Sequence, residues 1–255
     1  MKKRPFKIVA LSFSIVILVS FLLESCLISD IFNENKEWET DIRNETYAVD
    51  STTLLEALQQ GKSDVFRLLT ATPPAYPPHS SPIHWTQADL FTVAQSIHQY
   101  AWKESLADWK VEKISFYLPC SQIELGPQGA AFSFFKYVKI KGEDARLIRV
   151  LFITPDENTI VLSEYKFQPV YEIWSSINLL NEKVSVEDAV SIAEKNGGIK
   201  FRQEVGNKCS IEASRDIDNG YDGWLVTYSE SGSNQDKSLK WENINAQTGE
   251  YQKVQ

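Results

Sequence analysis

The side chains best suited to chemistry in this 255-residue chain are its three histidines, His79, His84 and His98. An imidazole binds metal or acts as a base only beside a second ligand or a partner group. None of the three has another His or a Cys at ligand spacing, and the chain has no HExxH, GxSxG, P-loop or GxGxxG motif. We therefore predict no catalytic residue and no cofactor. We expect His98, on a predicted helix, to be a partly exposed surface residue.

Acidic residues in 216–222 form a candidate metal site. Asp216, Asp218 and Asp222 alternate with other residues beside two glycines, and carboxylate oxygens are the ligands that Ca²⁺ prefers. Their spacing differs from that of an EF-hand, and no glutamate stands at the twelfth position of the loop. A solvated hairpin loop is the favoured interpretation. We predict no metal and keep Ca²⁺ at these three aspartates as the weaker alternative.

The three cysteines, Cys26, Cys120 and Cys209, are too few for a disulfide scaffold. If a lipid modifies Cys26, Cys120 and Cys209 remain and either pair or stay as two buried thiols. Spacing alone does not decide between these alternatives, since a bridge requires Cα atoms within about 7 Å.

The amino terminus has the layout of an export signal. Four cations, Lys2, Lys3, Arg4 and Lys7, precede an uncharged run over residues 8–23. The run is apolar on every face and starts at the terminus, which favours a membrane-targeting helix over a buried core helix. We assign residues 1–25 to a signal peptide or signal anchor.

The residues that follow, Leu23-Glu24-Ser25-Cys26, resemble a bacterial lipobox, although Glu24 departs from the small or apolar residue usual at that position. The resemblance implies lipidation of Cys26. An uncleaved signal anchor and a cleaved secreted form are the alternatives. All three place the chain beyond about residue 33 outside the cytoplasm, because the cations stay inside. We therefore predict a cell-envelope protein, anchored to the membrane through its amino terminus.

The charge of the exported part excludes some partners. The whole chain has 26 basic and 34 acidic residues, and residues 1–25 contain four of the former and one of the latter. The rest therefore carries 22 basic and 33 acidic residues, a formal charge of −11. Such a surface repels phosphate backbones, so we predict no nucleic-acid partner.

Polar and proline-rich stretches precede the predicted folded part. Residues 33–50 are polar without an apolar period and predict a tether. Residues 51–70 predict one or two short helices broken near Gly61, and residues 71–84 contain five prolines, typical of a stiff linker. We group residues 26–85 as tether, short helices and linker.

Residues 86–183 predict a first α+β unit. A helix starts at Thr86, with Asp89 completing a capping box. Four extended segments follow at 109–118, 131–140, 145–153 and 159–167, separated by turns at 141–144 and 155–158.

Residues 184–255 repeat this order. Ser185 predicts the cap of a second helix, which we expect to end at 196–198 in Asn-Gly-Gly. Strands are predicted at 208–214, 223–229, 238–244 and 250–254. The repeat favours two αββββ units, with two unrelated α+β halves as the alternative.

The second unit resembles a PepSY or PepSY-like domain. The residues that carry this resemblance lie in the helix at 185–193 (SVEDAVSIA), the strand at 223–228 (GWLVTY) and the closing turn at 244–250 (INAQTGE). The resemblance covers about residues 184–255 and implies a non-catalytic, extracytoplasmic domain. We expect Asn245, Thr248 and Gly249 to be structural turn residues, since Asn and Thr bond turn amides and Gly accepts a positive φ.

The predicted fold is therefore α+β, with two tandem units after an N-terminal membrane-targeting helix. Each unit is a helix packed on an antiparallel sheet, PepSY-like or cystatin-like. The tryptophans mostly fall at helix starts or within strands, which predicts core positions and not a sugar platform.

We expect a non-enzymatic, envelope-anchored protein that binds or regulates another exported protein through a sheet face or exposed edge. A secreted hydrolase with an unrecognised site and a purely structural envelope spacer are the alternatives.

Overall fold

A computed structural model describes residues 40–62, 64–69, 83–140, 142–167, 176–177, 183–216, 223–231 and 238–251. These residues form an α+β fold built on one nine-stranded sheet, in the order β2-β1-β6-β5-β4-β3-β7-β8-β9. Every neighbouring pair of strands is antiparallel. The predicted fold class, α+β with an antiparallel sheet, is confirmed at this level.

The elements have the following bounds. The strands are β1 (Thr40–Ala48), β2 (Arg67–Leu68), β3 (Lys110–Pro119), β4 (Gly129–Ile140), β5 (Glu143–Thr154), β6 (Thr159–Phe167), β7 (Cys209–Asp216), β8 (Gly223–Glu230) and β9 (Ser238–Asn245). The α-helices are α1 (Leu54–Gln59), α2 (Gln87–Trp102), α3 (Val186–Ala193) and α4 (Ile199–Glu204). Short 3₁₀ turns are Leu106–Asp108, Cys120–Leu125 and Pro155–Glu157, and one π-helical turn is Glu194–Gly198.

The meander β3 to β6 follows the predicted segments closely. The β4–β5 hairpin closes at Ile140 opposite Glu143, with Gly142 at φ 91°. The β5–β6 turn ends at Asn158, whose φ is 54°, a conformation that Asn accepts more readily than most residues. Asn158 also ties the turn to the chain after β1, because its Oδ1 accepts a hydrogen bond from the Ser51 amide at 3.1 Å.

The predicted tether is wrong over Thr40–Ala48, which form β1 along β6. Its alternate residues Arg43, Glu45 and Tyr47 bond to one another, with Arg43 Nη2 2.6 Å from a Glu45 oxygen and Tyr47 donating to Glu45 at 2.7 Å. Arg43 also donates to the carbonyl of Ala101 at the end of α2. The side of β1 that faces α2 is therefore partly polar. For this reason the sequence shows no alternation of apolar and polar residues over this strand. The rest of the tether before residue 40, the leader at 1–25 with Cys26, and most of the proline-rich segment lie outside the described residues.

Both predicted capping boxes are present. Thr86 accepts from the Asp89 amide at 3.2 Å, and Ser185 accepts from the Asp188 amide at 3.2 Å. The predicted helix end at 196–198 is present as a break in the backbone, since Asn196 and Gly197 leave the helical conformation, with Gly197 at φ 130°. A second helix, α4, begins directly after this kink.

Two glycines make the kink between α3 and α4 sterically feasible. Gly197 has φ 130°, and a Cβ at Gly198 would lie 2.8 Å from the Tyr228 hydroxyl. The two glycines therefore act as a kink that lets the helix approach β8 closely.

One apolar core lies on the face of the sheet that the helices cover. Phe132 on β4 contacts Phe91 of α2, with ring centroids 5.9 Å apart, and Phe116 on β3 contacts Trp224 on β8, with centroids 6.0 Å apart. Trp85, Trp109 and Trp224 are buried, as predicted for core tryptophans. The core is continuous across the β3–β7 pairing, so both ends of the sheet share it.

The last predicted strand is present only in part. The described residues show Tyr251 in a single bridge opposite Ile244, and residues 252–255 lie outside them.

Candidate functional site

Cys120 and Cys209 form a disulfide bond, with Cα atoms 5.2 Å apart. Cys120 follows β3 directly and Cys209 begins β7, and these two strands pair over seven register positions. Both cysteines are buried. Of the two alternatives, paired or free, the structure therefore has the pair, and it fastens the β3–β7 seam at one end.

An ion pair lies beside the disulfide. Arg202 of α4 donates through Nε and Nη2 to Glu194, and its Nη1 donates to the carbonyl of Cys120 at 3.2 Å. The hydroxyl of Tyr228 donates to Glu194 at 2.7 Å. Burial, with the Glu194 hydrogen bond second, raises the pKa of Tyr228. These groups saturate one another and hold the kinked helix against the disulfide, which is a structural task.

The closing turn uses Asn245, Thr248 and Gly249 structurally. The Asn245 side chain accepts from the amides of residues 247 and 248 at 2.8 and 3.0 Å. Thr248 accepts from the amide of residue 250 at 3.2 Å, and Gly249 has φ 71°. A Cβ at Gly249 would lie 3.3 Å from Ile192 Cδ1, so the turn also packs against α3.

Only one of the three candidate calcium ligands lies within the described residues. Asp216 ends β7 and lies 3.4 Å from Lys113 Nζ, whereas Asp218 and Asp222 fall outside the described residues. In the described part of the chain, no group of three or more His, Cys, Asp or Glu side chains is arranged to hold a metal ion.

The expectation that His98 is partly exposed is wrong. Its exposed fraction is 0%, and it lies on the buried side of α2, in the middle of a polar cluster. We call His98, Glu104, Arg149 and Glu164, together with Trp102 and Trp109, the Arg149 centre.

Arg149 organises this centre from β5. Its Nε donates to Glu164 at 2.5 Å, and its Nη1 lies 2.8 Å from Glu104 Oε2 and 2.9 Å from His98 Nε2. Because a guanidinium only donates, His98 Nε2 must accept. The His98 proton therefore sits on Nδ1 and is donated to the Glu104 carbonyl at 2.9 Å.

Aromatic faces complete the centre. The guanidinium carbon of Arg149 lies 4.0 Å from the ring centroid of Trp109 and 4.5 Å from that of Trp102, within the range of cation–π attraction. In the strand register Arg149 is opposite Glu164, which is opposite Arg43, so charges alternate across β5, β6 and β1.

The electrostatics of the centre favour a neutral imidazole. Burial lowers the pKa of His98 to about 4, although the hydrogen bond to the Glu104 carbonyl opposes this shift. A hydrogen bond from Lys136 is the main reason that the pKa of Glu104 is lowered. The imidazole is thus enclosed and has both nitrogens engaged, so the geometry does not present it as a base to a substrate.

A cavity of about 490 Å³ opens beside this centre. We call it the α2 groove, and Trp109 belongs to both features. The residues that line the groove are Phe91, Gln95, Gln99, Ser105, Leu106, Ala107, Trp109, Lys110, Val111, Phe134, Ser176 and Ile177. Its volume is typical of small-ligand sites.

The groove has an apolar floor and an uncharged polar rim. Phe91, Val111 and Phe134 form the floor, while the exposed amides of Gln95 and Gln99 stand on the rim. The ammonium group of Lys110 lies 5.7 Å from the ring of Tyr137, and the strand register places Lys110 opposite Phe135, on the face of the sheet away from α2. Among the described residues, the lining thus includes no carboxylate, and its one cation, Lys110, is directed away from the core face.

The sequence interpretation did not find the Arg149 centre. A signal was present, because Arg149 is the one charged residue in the otherwise apolar run 147–153. An inward arginine in a central strand calls for a buried acid, but the sequence alone does not identify Glu164 and Glu104 as its partners.

No family model, curated protein or solved structure matches the chain. Within the ranges that the structure describes, no helix has the length and apolar character needed to cross a membrane.

Proposed function

We propose that this chain is an extracytoplasmic, membrane-anchored, non-enzymatic protein that binds another exported protein. The observation that carries the proposal is the buried disulfide between Cys120 and Cys209. Disulfides of this kind form and persist in oxidising compartments and are rare in the cytosol. The basic start and uncharged run at 8–23 supply the export route and the anchor.

The absence of enzymatic activity is inferred from how the ionisable groups are used. His98, Glu104, Arg149 and Glu164 bind one another, and Glu194 is saturated by its neighbours. A catalytic acid, base or nucleophile needs a reaction partner within reach, and these groups are already occupied.

The α2 groove is the proposed binding surface. Its described lining has no carboxylate and one lysine directed away from the core face, which in an acidic chain favours an uncharged, apolar segment of the partner. Gln95 and Gln99 would bond this segment through their amides. Trp109 belongs to this lining, and its buried indole nitrogen has no hydrogen-bond acceptor among the described residues.

We further infer two related units, 86–183 and 184–255, the second PepSY-like. Two features support this inference. The first strand after each helix, β3 and β7, pair in antiparallel fashion. The helix starts also exchange hydrogen bonds, since the Gln87 amide donates to Glu187 at 2.8 Å and the Val186 amide donates to Gln87 at 2.7 Å. A two-fold axis between β3 and β7 would generate both arrangements.

The export part of the proposal is tested by the intact mass of protein purified from its native membrane. A lipidated, an uncleaved or a trimmed chain carrying the Cys120–Cys209 bond supports the proposal. An unprocessed chain with free thiols contradicts it, and so does recovery of the protein in the cytosolic fraction instead of the membrane. Deleting residues 1–25 should give a protein that leaves the membrane pellet.

The binding part is tested by site-specific photo-crosslinking in intact cells. A photoreactive residue replaces Gln95 or Gln99. In the matched control it replaces Lys200, which is exposed on α4 and does not belong to the groove lining. We expect a discrete cross-linked protein from the two groove positions and not from the control. Identical patterns at all three positions would contradict the groove as the binding surface.

A further inference from the structure

We propose that the Arg149 centre is an acid-sensitive latch that fixes one wall of the α2 groove. The inference rests on the proposed function only in treating the groove as the binding surface. The latch itself stands on the hydrogen bonds between α2, the segment that follows it, and β5.

The hydrogen-bond directions make His98 the sensitive member. Nδ1–H donates to the Glu104 carbonyl and Nε2 accepts from Arg149. Adding a proton to Nε2 would place an N–H donor 2.9 Å from another donor, the Arg149 guanidinium. The protonated ring would also bring a second positive charge beside the first, so His98 and Arg149 must separate.

The surrounding charges do not rescue the protonated ring. Glu104 is held by Arg149 and by Lys136, whose Nζ lies 2.9 Å from Glu104 Oε1. Glu164 is held by Arg149 at 2.5 Å. The titratable and charged groups that surround His98 come from the segment after α2 (Glu104), β4 (Lys136), β5 (Arg149), β6 (Glu164) and β1 (Arg43, Glu45, Tyr47).

The centre is mechanically connected to the groove. Glu104, whose backbone carbonyl accepts the hydrogen bond from His98 Nδ1–H, immediately precedes Ser105 of the groove lining. Trp109 forms part of the groove lining, and Arg149 lies 4.0 Å from its ring centroid. Loss of the His98 contacts therefore frees the segment 104–109, which forms this wall.

The size of the response follows from the two protonation equilibria. With a His98 pKa of about 4 in the closed latch and 6.5 in an open one, the opening equilibrium rises about 30-fold between pH 8 and pH 5. Because the pKa of His98 is lower in the closed latch than in the open one, protons favour the open form. The latch is therefore fully closed above pH 6.5 and weakens as the pH falls toward 4.

Hydrogen exchange of the full chain, corrected for the intrinsic effect of pH, tests the latch. Three proteins are compared at pH 8 and pH 5: the unmodified chain, His98→Gln and His84→Gln. Gln keeps a donor and an acceptor but takes up no proton in this range, and His84 is exposed and remote from the centre. We expect exchange in residues 95–109 to rise about 30-fold at pH 5 in the unmodified chain and in His84→Gln, and to stay constant in His98→Gln. An equal rise in all three, or none in the unmodified chain, would overturn the latch.

A second measurement needs no variant. Imidazole NMR of the unmodified chain should show one of the three histidines still neutral at pH 5, and the rise in exchange should level off near pH 4, where that imidazole takes up its proton. Three imidazoles with ordinary titrations would refute the proposal. Neither measurement involves a partner, so the latch can fail while cross-linking in the groove succeeds, and the reverse is equally distinguishable.

Discussion

Removing the Cys120–Cys209 bond should be the most damaging change in the β3–β7 seam. The bond joins residues 89 positions apart, so its loss frees a long loop in the unfolded chain. Loop-closure entropy for that length corresponds to about 4.5 kcal/mol at 25 °C. Stability of a domain is typically about 5–15 kcal/mol, so the loss is a large fraction of the whole.

The assay is urea unfolding of the Cys120→Ala/Cys209→Ala double variant against the unmodified chain. With a urea dependence of about 2–3 kcal/mol per molar, the midpoint should fall by about 1.5–2 M. Cys26→Ala is the matched control, because it removes a cysteine outside this bond, and its midpoint should not change.

A loss below about 1 kcal/mol would refute this reasoning. It would mean that residual structure already restricts the unfolded chain about as much as the bond does. Mapping of a non-reduced digest provides an independent check, since it must recover a peptide pair joined through Cys120 and Cys209.

Three further substitutions probe other contacts by urea unfolding. Arg149→Met should cost about 3–5 kcal/mol because it leaves Glu164 buried without its partner, and Arg149→Met/Glu164→Leu should regain at least half of that loss; a double variant no better than the single one would contradict this explanation. Gly198→Ala should cost about 1–3 kcal/mol, since its Cβ would lie 2.8 Å from the Tyr228 hydroxyl; an unchanged midpoint would show that the kink relaxes freely. Gln87→Ala should cost about 1 kcal/mol by leaving a helix-start amide without its acceptor, and no loss would mean that solvent replaces this bond.

Much of the sheet was predictable because its signals are local. The segments at 109–118, 145–153 and 159–167 combine apolar residues, in short runs or at alternate positions, with turns nearby, and they correspond to β3, β5 and β6. The helix starts at Thr86 and Ser185 were predictable for the same reason, since a capping box involves residues only three positions apart.

The remaining features depend on partners far away in sequence. β1 lies in a stretch that is polar throughout, and its inward side chains Arg43 and Glu45 are accommodated only because the end of α2 supplies Ala101 and Trp102 as contacts. The burial of His98 could not be predicted for the same reason, because its partner Arg149 lies on a strand 51 residues later in the sequence. The Asn-Gly-Gly signal after α3 is local and the backbone does break there, whereas α4 packs close to Tyr228 from a distant strand and was not predicted.

The Cys120–Cys209 bond and the Arg149 centre respond differently to pH, and this sets the order in which their parts of the structure should open in acid. The Cys120–Cys209 bond is indifferent to pH, whereas the Arg149 centre loses strength below pH 6.5 because the pKa of His98 is lowered to about 4. The hydrogen bonds from Lys136 and Arg149 lower the pKa of the Glu104 carboxyl group below its usual range, so this carboxylate keeps its charge when the centre begins to weaken below pH 6.5. Acid should therefore free the end of α2 and the groove wall first, while the β3–β7 seam keeps its protection. Seam amides that exchange before those of residues 95–109 would contradict this order.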